Sequence, residues 1–357
     1  MIRQFFSWIA DFFRLIREKL LGLEKSDPII SNPSKPSDMQ KEKVLFNHDA
    51  AIDEFMAALL LTTMDEVDYL GSVIMNADCI YNYAMNAQWK IQEYLKIDQD
   101  QNPIMLSRAR QWNPFPWAYR GDCIKENNIA CLKDMDNNPA WPAYPDGDQF
   151  MKDQLQAALD KGEKITMLVN CPMTTLYNIL KDDPKLEGAI GRLIWMGGAV
   201  YVGGNLDPTT IPKEVANPKA EWNAFCDPYA IDWVFKNTNF PITLFPLDVT
   251  DQAAITTGFM ANLAFQGRKY PYSELAWQSY EIVANEAFYD MWDVVTTCYI
   301  PHPEFFAPPS KLNLSIVTED YWQGTLFEDE QGREVDVILN LVDANGFYGY
   351  VLKQFGR

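Results

Sequence analysis

The sequence predicts an α/β protein: an open, mostly parallel, Rossmann-like sheet flanked by helices. Two observations carry that expectation. Short, mostly apolar runs (Val44–Phe46, Tyr69–Met75, Lys164–Val169, Ile242–Phe245) read as buried strands. Longer segments with helical character follow them, Phe55–Leu61 and Tyr81–Leu95 among them. The chain has 357 residues, 48% of them hydrophobic, enough for one large α/β domain or two small ones.

The first strand and helix hold the densest chemistry. Between Val44–Phe46 and Phe55–Leu61 stand Asn47, Asp49, Asp53 and Glu54. Polar groups there lie at the carboxyl end of a strand, where open α/β sheets bind ligands. Asn47 and Asp49 are two apart and share one side of an extended backbone. Asp53 and Glu54 open the helix, where negative charge is favoured. Three carboxylates so close repel one another unless a cation joins them, and hard oxygen donors suit calcium or magnesium. The plain alternative is a capped helix with a solvated turn.

Residues 1–24 stand apart. Ile2, Phe5, Phe6, Ile9, Phe12, Phe13, Ile16, Leu20 and Leu23 recur at helical spacing, with Arg3, Asp11, Arg14, Arg17 and Glu18 on the other side. Asp11 and Arg14 interrupt any signal-peptide core, and no window is long enough to span a bilayer. An amphipathic helix is expected, docked on protein or lying peripherally on a membrane. Residues 25–42, with Pro28, Pro33 and Pro36, read as a linker, and 43–357 as the folded domain.

Further strand ends bring more polar residues. Tyr69–Met75 ends at Asn76, where a helix-capping role is the simple expectation. Residues 101–150 lack periodicity, and Arg110–Arg120 is a dense aromatic loop holding Trp112, Phe115, Trp117 and Tyr119; loops this long are usually functional. Lys164–Val169 leads into Asn170-Cys171-Pro172. Met196-Gly197-Gly198, Gly203-Gly204-Asn205 and Ala220-Glu221-Trp222-Asn223 follow in order, and their glycines permit close backbone approach to a ligand. Glu221 and Asn223, two apart, share a face if extended. Tyr289-Asp290-Met291-Trp292-Asp293 then opens a last apolar helix.

Taken together, these motifs resemble the nucleoside hydrolases, closest to the purine-preferring group, from Val44 to the C-terminus. Asp49 and Asp53 match the N-terminal signature of that family, whereas Asn47 and Glu54 replace its first and last Asp, and Cys171 replaces a Gly. The resemblance implies the nucleoside hydrolase fold and calcium-dependent hydrolysis of the N-glycosidic bond of ribonucleosides. Asp49, Glu54, Asp293 and the Asn170 carbonyl would hold calcium, with Asp49 as the base. Asp53, Asn76, Asn205, Glu221 and Asn223 would hold the ribose, with Met196 beside it. Tyr119, with Trp117 as a near neighbour, and Trp292 would stack the base. Pro246–Thr250 is given a structural role. Some members carry His where Trp292 stands. The competing expectation is a catalytically impaired chain that binds a nucleoside or a protein.

Composition narrows the partners. A net charge of −19 with no basic stripe excludes nucleic acid and favours an uncharged ligand over a phosphorylated one. Six scattered cysteines without C-x-x-C spacing read as reduced thiols, and two histidines leave no zinc site. No nucleotide-cofactor motif is present. A cytoplasmic homo-oligomer, peripheral to a membrane if residues 1–24 insert, is expected.

Overall fold

A computed structural model describes residues 41–139, 143–286 and 289–357. The expected amphipathic helix at 1–24, and all of the linker but its last two residues, lie outside these.

Nine strands form one sheet: β1 Glu42–His48, β2 Val67–Ile74, β3 Ile104–Leu106, β4 Ile165–Asn170, β5 Ile190–Met196, β6 Ile242–Phe245, β7 Ser310–Ile316, β8 Leu326–Glu328 and β9 Arg333–Val337. Their order is β3-β2-β1-β4-β5-β6-β9-β7-β8. All neighbours pair in parallel except β7, which runs antiparallel to β8 and β9. The mostly parallel sheet is thus observed, with one antiparallel edge.

Two buried layers cover the sheet, which is why its central strands read as mostly apolar runs. In β1, Val44 and Phe46 pack into one layer and Leu45 into the other. Helices α1 Ile52–Leu61 and α2 Tyr81–Leu95 contribute to the first layer; α3 Gly147–Lys161 and α4 Thr174–Asp182 contribute to the second. All ten residues of α1 are buried, its two acids included.

The order β2-β1-β4-β5 creates a switch point. From β1 the chain builds outward through β2 and β3, then returns to build through β4, β5 and β6 on the other side. His48 at the end of β1 pairs with Asn170 at the end of β4. The crevice beyond these two ends is where an open α/β sheet binds its ligand. Asp49 follows directly. Ala50 then adopts φ 62°, a left-handed conformation that costs a non-glycine residue energy and turns the chain into α1.

One buried acid away from the crevice has a testable consequence. Glu126 Oε1 accepts from Ser279 Oγ at 2.8 Å, while Oε2 has no partner. Burial pushes its carboxyl up to about 8, with Ser279 opposing the shift. The unfolded chain ionises Glu126 near its ordinary value of 4.5, so folding stability is full below that pH and falls as pH rises towards 8. Glu126→Gln removes this penalty. Its stability gain over the parent should grow between pH 5 and pH 8 by on the order of 3 kcal/mol in urea titrations. Parallel profiles would reject it.

Candidate functional site

A cavity of about 480 Å³ opens at the switch point. Asp49, Glu54 and Asp293 line it, each nearly buried at 3–5% exposure. They arrive from three places: the end of β1, the first turn of α1, and the first turn of α6, Trp292–Tyr299. Asp49 Oδ2 accepts the Asp78 N–H at 3.0 Å. Burial raises the Asp49 carboxyl to about 6, with Glu54 and backbone donors opposing. Glu54 is pushed well above the usual carboxylate range by burial and then by repulsion from Asp293 and Asp49. Asp293 is pushed the same way by burial, then by Asp53 and Asp49. These acids cannot all be ionised unless positive charge joins them.

Asp53 is held differently from its neighbours. It is fully buried. Its Oδ2 accepts the N–H groups of Asp293 and Val294 at 2.6 and 3.0 Å, and Oδ1 accepts the Tyr280 hydroxyl at 2.7 Å. It therefore caps the first turn of α6 and sets where Asp293 stands.

Glu221 is the other organising acid. It is the N-cap of the short helix α5, Trp222–Cys226, accepting the N–H of Asn223 at 2.8 Å and of Ala224 at 3.0 Å. Its Oε2 also accepts the Gly198 N–H at 2.7 Å. Burial raises Glu221 to about 7 against these three donors. Asn223 Nδ2 donates to the Met196 carbonyl at 3.2 Å, and Asn205 Oδ1 accepts the Trp222 N–H at 3.1 Å. One carboxylate thus joins the Met-Gly-Gly turn to the start of α5.

Two aromatic groups complete the lining. Trp292 packs with Met196, Ala199 and Leu247, stands 4.7 Å from the Tyr289 ring, and donates Nε1–H to Asp251 at 3.2 Å. Phe115 contacts Trp222 at 4.8 Å and Tyr119 at 6.0 Å, while the Tyr119 hydroxyl donates to Asp207 at 3.1 Å.

The sequence model of a family described as inosine-uridine preferring nucleoside hydrolase matches residues 44–349. The chain belongs to the nucleoside hydrolase family. A solved inosine-uridine preferring nucleoside hydrolase from Bacillus anthracis is 29% identical, with a TM-score of 0.75 over 88% of this chain and 99% of that one. A purine-preferring ribonucleoside hydrolase from Gardnerella vaginalis shares the fold at 17% identity, TM-score 0.69, covering 88% and 98%. A non-specific ribonucleoside hydrolase, RihC, of Escherichia coli strain UTI89 is 26% identical over 194 residues, 53% of this chain. That match spans 60% of the relative's length.

Within this nucleoside hydrolase fold, Asp49, Glu54, Tyr119, Met196, Asn205, Glu221, Asn223, Trp292 and Asp293 all line the one cavity. Asp53, Asn76 and Asn170 are not among its lining residues. Asn76 Oδ1 accepts from Arg120 Nη2 at 3.0 Å and from the Tyr81 N–H at 3.3 Å, the helix-capping role. The Asn170 side chain bonds Thr296 Oγ1 at 2.9 Å behind Asp293. Trp117 is 71% exposed beneath the Arg120 guanidinium, so of the two loop candidates Tyr119 is the one in the cavity. Glu221 and Asn223 reach the same cavity from a helix cap and first turn, because the backbone leaves the extended conformation after Glu221. The glycines approach the chain itself: a Cβ on Gly198, at φ 74°, would meet Leu326 at 2.2 Å, and one on Gly204 would meet the Ala220 carbonyl oxygen at 2.1 Å. Asp248 holds the N–H groups of Val200 and Tyr201 at 2.9 and 2.8 Å.

Sequence reasoning missed Asp78, Asp122, Asp207, Asp251, Glu286, Tyr289 and Asp290, all in the cavity lining. Asp78, two residues beyond Asn76 at the end of β2, was open to the same strand-end argument.

The donor set can be tested against a cation. Asp293 Oδ1 and Asp78 Oδ1 are buried without hydrogen-bond partners, and the neighbouring acids repel. That chemistry fits a hard cation. Among the described residues, no three His, Cys, Asp or Glu side chains stand as a ready metal cage. No described helix is long and apolar enough to cross a membrane.

Proposed function

We propose that this chain hydrolyses the N-glycosidic bond of ribonucleosides, purines preferred, with calcium in the carboxylate floor. One observation carries it: Asp49, Glu54 and Asp293 meet at the switch point of the sheet, in a cavity that also holds aromatic rings. Breaking the bond builds positive charge on the ribose and negative charge on the base. A floor of carboxylates stabilises the first of these. Asp49, with one oxygen anchored by the Asp78 N–H, takes the proton of the attacking water. Glu221, Asn205 and Asn223 accept and donate to the sugar hydroxyls from rigid backbone-bonded positions. Asp53 acts through α6, placing Asp293.

Asp49, Glu54, Asp293 and the Asn170 carbonyl would hold the calcium. Bound there, it supplies Lewis acidity to water and an attachment point for the sugar diol. The support is the donor chemistry and the unpartnered Asp293 oxygen.

A hydrolysis screen over the common nucleosides, run with chelator and with calcium restored, tests this. Turnover that returns with calcium is expected; full turnover in chelator overturns the metal role. Saturable binding without any turnover would support the binding-module alternative. Trp292→Ala should lower kcat/KM for inosine at least about tenfold, since stacking on an aromatic contributes about 1–3 kcal/mol per base elsewhere. Equal losses for uridine and inosine would reject a purine-stacking role.

A further inference from the structure

The cavity carries ten carboxyl side chains and, among the described residues, no Lys, Arg or His. The proposed calcium accounts for the floor. It leaves Asp207, Asp251, Glu286 and Asp290, none of which is in an ion pair among the described residues. Asp122 differs, being paired with Lys125 at 2.6 Å. The other nearby cation, Arg120, bonds the Cys79 carbonyl at 2.7 Å and Asn76, and its charge acts on Asp49 and Asp78 in the floor, away from these four acids.

These acids surround aromatic rings. Asp251 accepts from the edge of Trp292 at 3.2 Å, which enriches the ring face in negative charge. Tyr289 lies against Trp292, and Asp290 follows it in the chain. Asp207 holds the Tyr119 hydroxyl. Aromatic faces edged by carboxylates attract an organic cation.

The chain's two histidines are elsewhere. His48 is fully buried against Ser72 at 3.1 Å, and His302 bonds Glu304 at 2.8 Å. A neutral base leaves as an anion and calls for a proton donor. A cationic base calls for none. Its C1′–N bond breaks with the electron pair passing to the ring nitrogen, which becomes neutral. Water supplies hydroxyl to C1′ and gives one proton to a carboxylate, then to solvent.

We propose that this cavity selects ribonucleosides whose base carries a fixed positive charge, a pyridinium or quaternised purine, over neutral ones. The proposal rests on the nucleoside-hydrolase reading and adds to it the charge of the base, rather than its ring type, as the feature selected.

N-Ribosylnicotinamide and its dihydro form are matched probes, alike in shape and differing in the charge of the ring. Their affinities are measured by calorimetry at saturating calcium on full-length Asp49→Asn protein, whose turnover is too slow to consume the probes, and their hydrolysis on the parent. The cation should bind about tenfold or more tightly, and the ratio should shrink as salt is raised from 0.05 to about 0.5 M. In Asp251→Asn and in Glu286→Gln, tested separately in case one fails to fold, the ratio should fall towards one. Hydrolysis of neutral nucleosides with equal binding of the two probes overturns the charge preference and leaves the hydrolase reading standing. Cation-selective binding with no hydrolysis of any nucleoside overturns only the hydrolase reading.

Discussion

Asp49→Asn is expected to lower kcat/KM for inosine by about a thousandfold and to raise the melting temperature of calcium-free protein. The catalytic loss follows from position. Asp49 is the floor carboxylate anchored by the Asp78 N–H, and Asn keeps that bond while losing the capacity to take a proton. A positioned base contributes about 10²–10⁴-fold, and a lost calcium ligand adds to the deficit. The stability gain follows from repulsion. Asp49 presses on Glu54, Asp78 and Asp293 within one buried cluster. Removing its charge relieves all three when no cation is present. Calcium should therefore raise the melting temperature of the parent more than that of the variant. Steady-state kinetics and thermal melts, each with and without calcium, read both effects. A variant keeping more than a tenth of parental turnover would remove Asp49 as the base.

The parts of this site that the sequence disclosed are those written in local spacing. Asp49 and Glu54 sit where an unbroken apolar strand meets a helix, and that junction survives in the fold as β1 and α1. The helix expected at Tyr81–Leu95 and the strand at Ile242–Phe245 match α2 and β6 at both ends. Asp53 shows where spacing stops informing. It stands one residue from Glu54, yet its partners are Tyr280, Asp293 and Val294, more than 220 residues away. No pattern near Asp53 distinguishes a ribose contact from a clamp on a distant helix. The rim acids were hidden for the opposite reason. They come from loops without periodicity, and in the sequence each reads as an ordinary surface acid. Their meaning arises only when the sheet gathers them around Trp292 and Tyr119. The pair Glu221 and Asn223 was correctly gathered but by another geometry, since Glu221 caps α5 and the backbone turns between them.

That cap makes Glu221 the second residue whose loss should be large. Glu221→Ala removes the acceptor of three N–H groups at once, those of Gly198, Asn223 and Ala224. Glu221 is 2% exposed, so water cannot readily replace the lost bonds. A buried donor left without a partner costs about 1–3 kcal/mol, and partial relaxation should leave a net loss of roughly 3 kcal/mol. The Met-Gly-Gly turn and α5 would then separate, carrying Met196 and Asn223 out of register with each other. Activity should drop by at least about a hundredfold even below the shifted melting temperature, because the sugar contacts depend on that register. Glu221→Gln separates the two effects. Its oxygen, placed at Oε2, still accepts from Gly198 and Ala224, while its amide group faces the Asn223 N–H donor to donor. Stability should therefore fall by about a third of the Ala loss, since one bond of three is broken. Turnover should fall nearly as far as in Ala if the Glu221 carboxylate accepts sugar hydroxyls. If Gln restores both stability and turnover together, the residue is a backbone clamp and makes no contact of its own with the sugar.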